Sequence, residues 1–264
     1  MTSPVFSPPV WALIFALSGG LILWLVSLRL RDSSIVDIFW GPGIAAVVDL
    51  VVWMGHGAGE RTSAVILLVN LWGARLAVHI WSRHSRVQGG EDRRYAAMRS
   101  RFGRNWWWVS LPQVFLLQAI LIWFVPAPLV AAVLFGQRPL VWLDYLGIGA
   151  AAAGLVFEAI ADFQLSAFRA DPANQGKVMD RGLWGWSRHP NYFGEAMMWW
   201  GYFAIGFSAS HMWWLILSPL LVTFLLLQVS GVTLLEDGIE DRRPGYAAYK
   251  RRVSGFIPWS RKPD

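Results

Sequence analysis

The chain reads as an all-α polytopic membrane protein with seven transmembrane helices and a short C-terminal surface helix. Of its 264 residues 55% are hydrophobic and only 15% are charged, against roughly 25% charged in an ordinary soluble domain. Mean hydropathy is +0.41. The 18 Trp fit a chain whose solvent is largely lipid, because the amphipathic indole ring favours the membrane interface.

A spanning helix needs about 20 mostly apolar residues, and the first stretches to meet that are 9–28, 35–54 and 63–81. The uncharged run 106–137 is too long for one span and too short for two. Trp106, Trp107, Trp108 and Pro112 suggest an interfacial approach to a helix over 113–135, which Pro126 and Pro128 should kink. The fifth span covers 141–168. Residues 196–235 contain no Asp, Glu, Lys or Arg and suit two spans with a tight hairpin around 208–211. Beyond them, Tyr246, Tyr249 and Val253 at helical spacing, beside Lys250, Arg251 and Arg252, predict a short helix on the membrane surface.

Charge fixes the expected orientation. With seven spans, the segments 29–34, 82–105, 169–190 and 236–264 share one side and hold 20 of the 23 Lys and Arg. Arg61 and Arg138 lie opposite, and Arg75 falls within the third span. The positive-inside rule then puts the C-terminus in the cytoplasm and the N-terminus outside, as expected for a bacterial inner membrane. The first apolar stretch lacks a basic region before Trp11, so it reads as a retained helix rather than a cleaved signal peptide.

Several function classes drop out. A net charge of +6 follows from cytoplasmic loops and is no argument for nucleic acid. Without Cys, and with five His in no ligand-spaced cluster, no metal site is expected. The glycines form no strand-to-helix dinucleotide fingerprint. No repeat or long linker divides residues 1–264, which read as a single helical membrane domain.

Function should sit where polar groups enter the apolar spans, since a buried ionisable group needs a partner or a task. Asp37 and Asp49 fall in the second span. Asp49 suits a helix end or a pairing with Arg75, and Asp37 a cap near the cytoplasmic border. Glu158 and Asp162 are four residues apart and share a helix face. Arg169, Lys177, Arg181 and Arg188 follow them, a mouth of phosphate-seeking cations or else a self-contained salt-bridge network. The densest motif is SRHPNYFGE at 187–195. Pro190 suits a first helical turn, Asn191 and Glu195 share a face with Tyr192 beside them, and the helix N-terminus with Arg188 and His189 would attract an anion. The same pattern also reads as an ordinary cap facing lipid headgroups.

SRHPNYFGE, the Glu158–Asp162 pair and YKRRVSGFIPW at 249–259 resemble the C-terminal signature of the steroid 5-alpha-reductase superfamily. Its bacterial branch is also echoed by VDIFWGPG at 36–43 and GGEDRRYAAMR at 89–99. The likeness is concentrated in residues 140–260. It implies a seven-helix fold that holds NADPH in a cavity open to the cytoplasm. By position, Asp162, Arg169, Asn191 and Glu195 match polar cofactor contacts. Lys177 stands where that family has Arg, Arg83 and Arg86 stand where its third-helix loop meets the phosphates, and Glu158 replaces an Asn. Arg188, His189 and Tyr192 complete the expected cofactor set.

The implied reaction is hydride transfer to a carbon–carbon double bond conjugated to a carbonyl, in a steroid-like, isoprenoid or other lipid substrate entering from the bilayer. A neutral acid must then stabilise the developing enolate. Where the steroid reductases place a Gln-Glu pair and a Tyr, this chain offers Asp37 as the expected proton donor, with Trp40 and Trp72 lining an apolar slot. A related helical arrangement with a similar motif occurs in S-adenosylmethionine-dependent membrane methyltransferases, which is the alternative reading. A non-catalytic membrane protein is the third.

Overall fold

The computed structural model describes residues 7–85, 91–229, 239 and 243–260. Arg86 and the start of the 89–99 motif lie outside the described residues. The protein is helical throughout, with one isolated bridge between Ser187 and Ser254 and no strand among the described residues. Among the described residues, five stretches are long and apolar enough to cross a membrane, namely Pro8–Leu30, Ile35–Trp53, Glu60–His84, Arg93–Leu134 and Trp142–Ala170, and Trp213–Val229 is a shorter apolar one. The chain is an integral membrane protein on that evidence of length and composition.

Helices α1 (Pro8–Leu30), α2 (Ile35–Trp53) and α3 (Glu60–His84) follow the predicted spans closely. Prolines at the first two positions of α1 lack N–H groups that would have no intrahelical partner there. Next comes α4 (Arg93–Phe102), an amphipathic helix whose N-cap Asp92 accepts a hydrogen bond from the Arg94 amide. After it, α5 (Trp106–Ser110), a π-turn segment (Leu111–Leu116), α6 (Leu117–Phe124) and α7 (Ala127–Leu134) form one segmented run. The predicted kink is the break at Val125–Pro126, where Pro126 takes ψ 9° and Pro128 enters the first turn of α7.

The last helices are α8 (Trp142–Ala170), α9 (Pro190–Ser210), α10 (Leu217–Phe224) and α11 (Tyr246–Arg252). The predicted hairpin is at the end of α9, where His211 adopts a left-handed φ of 61°. Helix α9 starts at Pro190, as the motif predicted, so Glu195 lies inside it. One expectation shifts: helix α3 takes in Arg61, expected in a loop but 1% exposed.

Two compact units emerge, residues 1–141 with 205–212 and residues 142–204 with 213–264. In the first, α2 and α3 cross where a Cβ on Gly41 would lie 2.9 Å from the Gly73 Cα. In the second, α8 and α9 meet through small residues, and a Cβ on Gly154 would lie 2.5 Å from the Gly194 carbonyl oxygen. That close approach sets the polar ends of α8 and α9 side by side.

Candidate functional site

In the second unit, the predicted acids and the SRHPNYFGE motif come together. Glu158 and Asp162 on α8 are both buried, and Asn191, in the first turn of α9, donates from Nδ2 to Asp162 Oδ1 at 3.2 Å. The other end of that amide, Asn191 Oδ1, is buried and accepts no hydrogen bond among the described residues. His189, 5% exposed, stacks flat on Tyr192 with ring centroids 5.6 Å apart. Glu195 is one turn further along the Asn191 face and half-buried.

The loop that delivers this helix start is pinned on both sides. Trp184 Nε1 donates to the Ala161 carbonyl at 3.0 Å, and Gln164 Oε1 accepts from the Leu183 amide at 3.0 Å. Gly182, at φ 57°, is required there, because a Cβ would sit 2.7 Å from the Gln164 side chain. On its other flank the loop is stitched to the tail: Ser187 Oγ donates to the Phe256 carbonyl at 2.7 Å, Trp259 N to Trp186 O at 3.0 Å, and Tyr249 Oη to Trp184 O at 2.6 Å. Ser187 Oγ also accepts from the His189 amide at 3.1 Å. The two halves of the sequence signature, 65 residues apart in places, are thus one structural unit.

Arg188 belongs to that stitching. Its guanidinium donates to the carbonyls of Val253 at 2.9 Å and Lys250 at 3.2 Å, so it acts as a clamp on the tail. Tyr246, Tyr249 and Val253 pack inward with Val178 and Ile239, which turns the apolar face of α11 toward the protein.

Arg169 and Lys177 are exposed near the C-terminal end of α8 and in the following loop. Lys177 lines a cavity of about 300 Å³ together with Phe168, Asn174, Asp180, Arg181 and Arg252.

The first unit holds Asp37, Trp40, Trp72 and Arg83. Trp72 is fully buried next to the Gly41–Gly73 crossing and Trp40 is half-buried. Arg83 is exposed at the end of α3, where its charge reaches Asp92. Asp37, the expected proton donor, is an acceptor in each hydrogen bond that ties it down: from Arg94 Nη2 at 2.7 Å, Tyr95 Oη at 2.7 Å and Gln118 Nε2 at 3.2 Å. Through these bonds the Asp37 side chain ties α2 to α4 and α6.

No metal-binding group of three or more His, Cys, Asp or Glu occurs among the described residues. A family model for a protein of unknown function, DUF1295, matches residues 23–253. The chain belongs to the DUF1295 family. A fission yeast relative, the uncharacterized protein C594.04c of Schizosaccharomyces pombe (strain 972 / ATCC 24843), is 25% identical over 280 residues, covering 96% of this chain and 80% of its own length. No solved structure matches the chain.

The DUF1295 match spans both units, from α1 to the end of α11. Within it, Tyr202 went unnoticed in the sequence. Its hydroxyl is fully buried and has no hydrogen-bond partner among the described residues, the ring packs edge-on against Trp199, and the Glu158 charge acts on it. Eleven residues separate it from Asn191, about three helical turns, which returns it to the same face. Counting in steps of three and four from the motif reaches it.

Proposed function

We propose that this DUF1295 chain is an NADPH-dependent membrane reductase, of the steroid 5-alpha-reductase type, that saturates a carbon–carbon double bond conjugated to a carbonyl in a lipophilic substrate. Seven spans with the C-terminus in the cytoplasm accompany that reading, α9 and the Trp213–Val229 stretch serving as the sixth and seventh. The observation that carries it is the Asn191 amide. One end is fixed by Asp162, and the other presents a buried acceptor without a donor at the start of a 21-residue helix. A buried acceptor left unmade costs about 1–3 kcal/mol, and a carboxamide or ribose hydroxyl of a nucleotide cofactor would satisfy it. Asp162 and Glu195 offer further acceptors, and the α9 N-terminus favours a phosphate.

NADPH supplies the hydride when bound. The chain's own part is to hold the nucleotide at the cytoplasmic ends of α8 and α9 and to stabilise the charge that develops on the substrate's carbonyl oxygen. We assign the second task to the Tyr202 hydroxyl rather than to Asp37. Tyr202 lies about 16 Å along the axis from Asn191, near the middle of a hydrocarbon core about 30 Å thick. A lipophilic enone reaches that depth from the bilayer. A phenol O–H aimed at an enolate oxygen in such dry surroundings lowers the barrier by several kcal/mol.

Purified protein in detergent should be stabilised against heat by NADPH more than by S-adenosylmethionine, with the gain lost in Asn191→Ala at an unchanged apo melting temperature. In an NADPH-oxidation assay with a panel of lipophilic enones, Tyr202→Phe should keep cofactor binding and lose turnover by roughly a hundredfold. Stabilisation by S-adenosylmethionine alone would move the assignment to methyl transfer, and no response to either ligand would remove it.

A further inference from the structure

Independently of the reductase reading, we infer that the exposed face of α4 and the tryptophans that follow it dock an anionic phospholipid of the bilayer, its phosphate meeting Arg101 and Arg104 and its acyl chains running past Trp107 and Trp108.

Helical spacing gives α4 two faces. Tyr95 and Phe102, seven residues apart, turn inward to a core with Val36, Trp106 and Val109. Opposite them, Arg93, Ala97, Ser100 and Arg101 share an exposed face, and the exposed Arg104 follows in the turn Gly103–Asn105. The small side chains at 97 and 100 leave the guanidinium groups room to meet a ligand. With its apolar face turned to the core, α4 cannot lie on a membrane by that face. Contact with lipid falls instead to the arginines and to Trp107 and Trp108, which are 57% and 50% exposed.

The level of these tryptophans follows from α1. That helix has 23 residues and is about 34 Å long, enough to cross a hydrocarbon core of about 30 Å. Trp24 Nε1 donates to the Trp107 carbonyl at 2.8 Å, which sets Trp107 about 9 Å back along the axis from Leu30, the last residue of α1. That is just inside the headgroup layer, where indole rings are enriched. Arg104 precedes Trp107 by three residues, and its long side chain can reach the phosphates from there.

Charge selects the headgroup. The acids at this end of the first unit are matched already. Arg99 holds Glu91 through two nitrogens at 2.8 Å, Arg94 lies 2.7 Å from Asp37 and 3.0 Å from Asp92, and His84 lies 3.0 Å from Asp32. Arg93, Arg101 and Arg104 enter no ion pair among the described residues. Residues 86–90 bring Arg86 and no acid to the sequence between α3 and α4. Arg101 lies over the ring of its neighbour Phe102, 5.7 Å from the centroid, a contact that leaves its N–H donors available. A lipid phosphate answers these cations, whereas a zwitterionic headgroup brings a cation of its own. An acidic protein segment would answer the charge but give Trp107 and Trp108 nothing to enter.

The test uses the full chain in a neutral detergent, titrated with phosphatidylglycerol and with phosphatidylcholine of the same acyl chains, with bound lipids counted by native mass spectrometry. Each arginine beside an anionic leaflet is worth about fivefold in binding. The wild type should therefore hold phosphatidylglycerol at least about tenfold more tightly, and the Arg101→Gln, Arg104→Gln double variant should lose roughly twentyfold at an unchanged melting temperature, both positions being exposed. Location has its own readout, because the chain contains no Cys: Ser100→Cys carries a single environment-sensitive dye. In nanodiscs its emission should shift to the blue when phosphatidylglycerol joins phosphatidylcholine, and the shift should vanish in the double variant. Equal affinity of the wild type for the two lipids, or a preference that survives in the double variant, overturns the inference. Glycerol phosphate bound as tightly as the whole lipid would give the face to a soluble anion and overturn it as well.

Discussion

Arg94 holds Asp37 in an ion pair at 2.7 Å, with side chains 35% and 16% exposed. Tyr95, the next residue, donates to the same carboxylate at 2.7 Å. Two consecutive residues of α4 thereby grip one acid of α2. Asp37→Asn keeps the shape and removes the charge, leaving Arg94 to Asp92 alone, 3.0 Å away. The variant should lose about 1–3 kcal/mol of stability, seen as a lower melting temperature in detergent. Turnover per folded molecule should stay within a few-fold of wild type. Full stability with abolished turnover would instead return Asp37 to the role of proton donor.

The same end of α4 predicts an acid-sensitive set of contacts. Burial pushes the Glu91 carboxyl up, but the Arg99 guanidinium, at 2.8 Å through two nitrogens, and the Ser33 amide outweigh it, and the net shift is downward. Asp92 shifts down for the same kind of reason, burial being outweighed by Arg94. A depressed folded-state value means these carboxylates add stability above their ordinary values of 4.5 and 3.8 and lose it as pH falls through the lower folded values. Melting temperature should therefore fall from pH 5 toward pH 3. Glu91→Gln should start lower and fall less steeply, and parallel slopes for the two proteins would refute the linkage.

The α8–α9 contact makes a prediction of opposite signs for two glycines of one helix. A Cβ on Gly154 would press on the Gly194 oxygen at 2.5 Å and the Met198 nitrogen at 2.6 Å, both backbone atoms. Helices must part to admit it. Gly154→Ala should cost about 1–3 kcal/mol and weaken any ligand held by Asn191. Gly149, five residues earlier and about 140° round the helix, is exposed and has nothing within 4 Å of its would-be Cβ. Gly149→Ala should be neutral or stabilising by up to about 1 kcal/mol through helix propensity. Denaturant titration of both variants checks the pair, and equal behaviour would mean that the two helices are not so closely packed.

Hydropathy located the helices because lipid imposes a length on any apolar run, and proline marked the break at Val125–Pro126. Hydropathy alone begins the sixth span at 196, and it was Pro190 in the motif, suited to a first helical turn, that marked where α9 starts. The Asp162–Asn191 contact was anticipated as a shared polar cluster through the family resemblance. Arg188, expected among the phosphate ligands, donates to backbone carbonyls of the tail, partners that no side-chain pattern announces. The ties of Asp37 were hidden for a related reason: Arg94, Tyr95 and Gln118 lie 57 to 81 residues away in sequence, and only the folded α4 and α6 bring them to its carboxylate.

Arg61 shows what a buried cation can hold together. It is 1% exposed, and its guanidinium donates to the carbonyls of Arg138 at 2.8 Å, Pro139 at 3.0 Å and Phe135 at 3.5 Å. These oxygens follow α7, at the negative end of a helix where carbonyls lack intrahelical partners. A fork of five donors reaches several of them at once, whereas a lysine ammonium is a point charge. Arg61→Lys should therefore cost about 1 kcal/mol, and Arg61→Met, which leaves the buried carbonyls without donors, about 2–4 kcal/mol. Thermal melts in one detergent should rank wild type above Lys above Met. A Met variant as stable as wild type would show that those carbonyls find other donors and that Arg61 is retained for its charge alone.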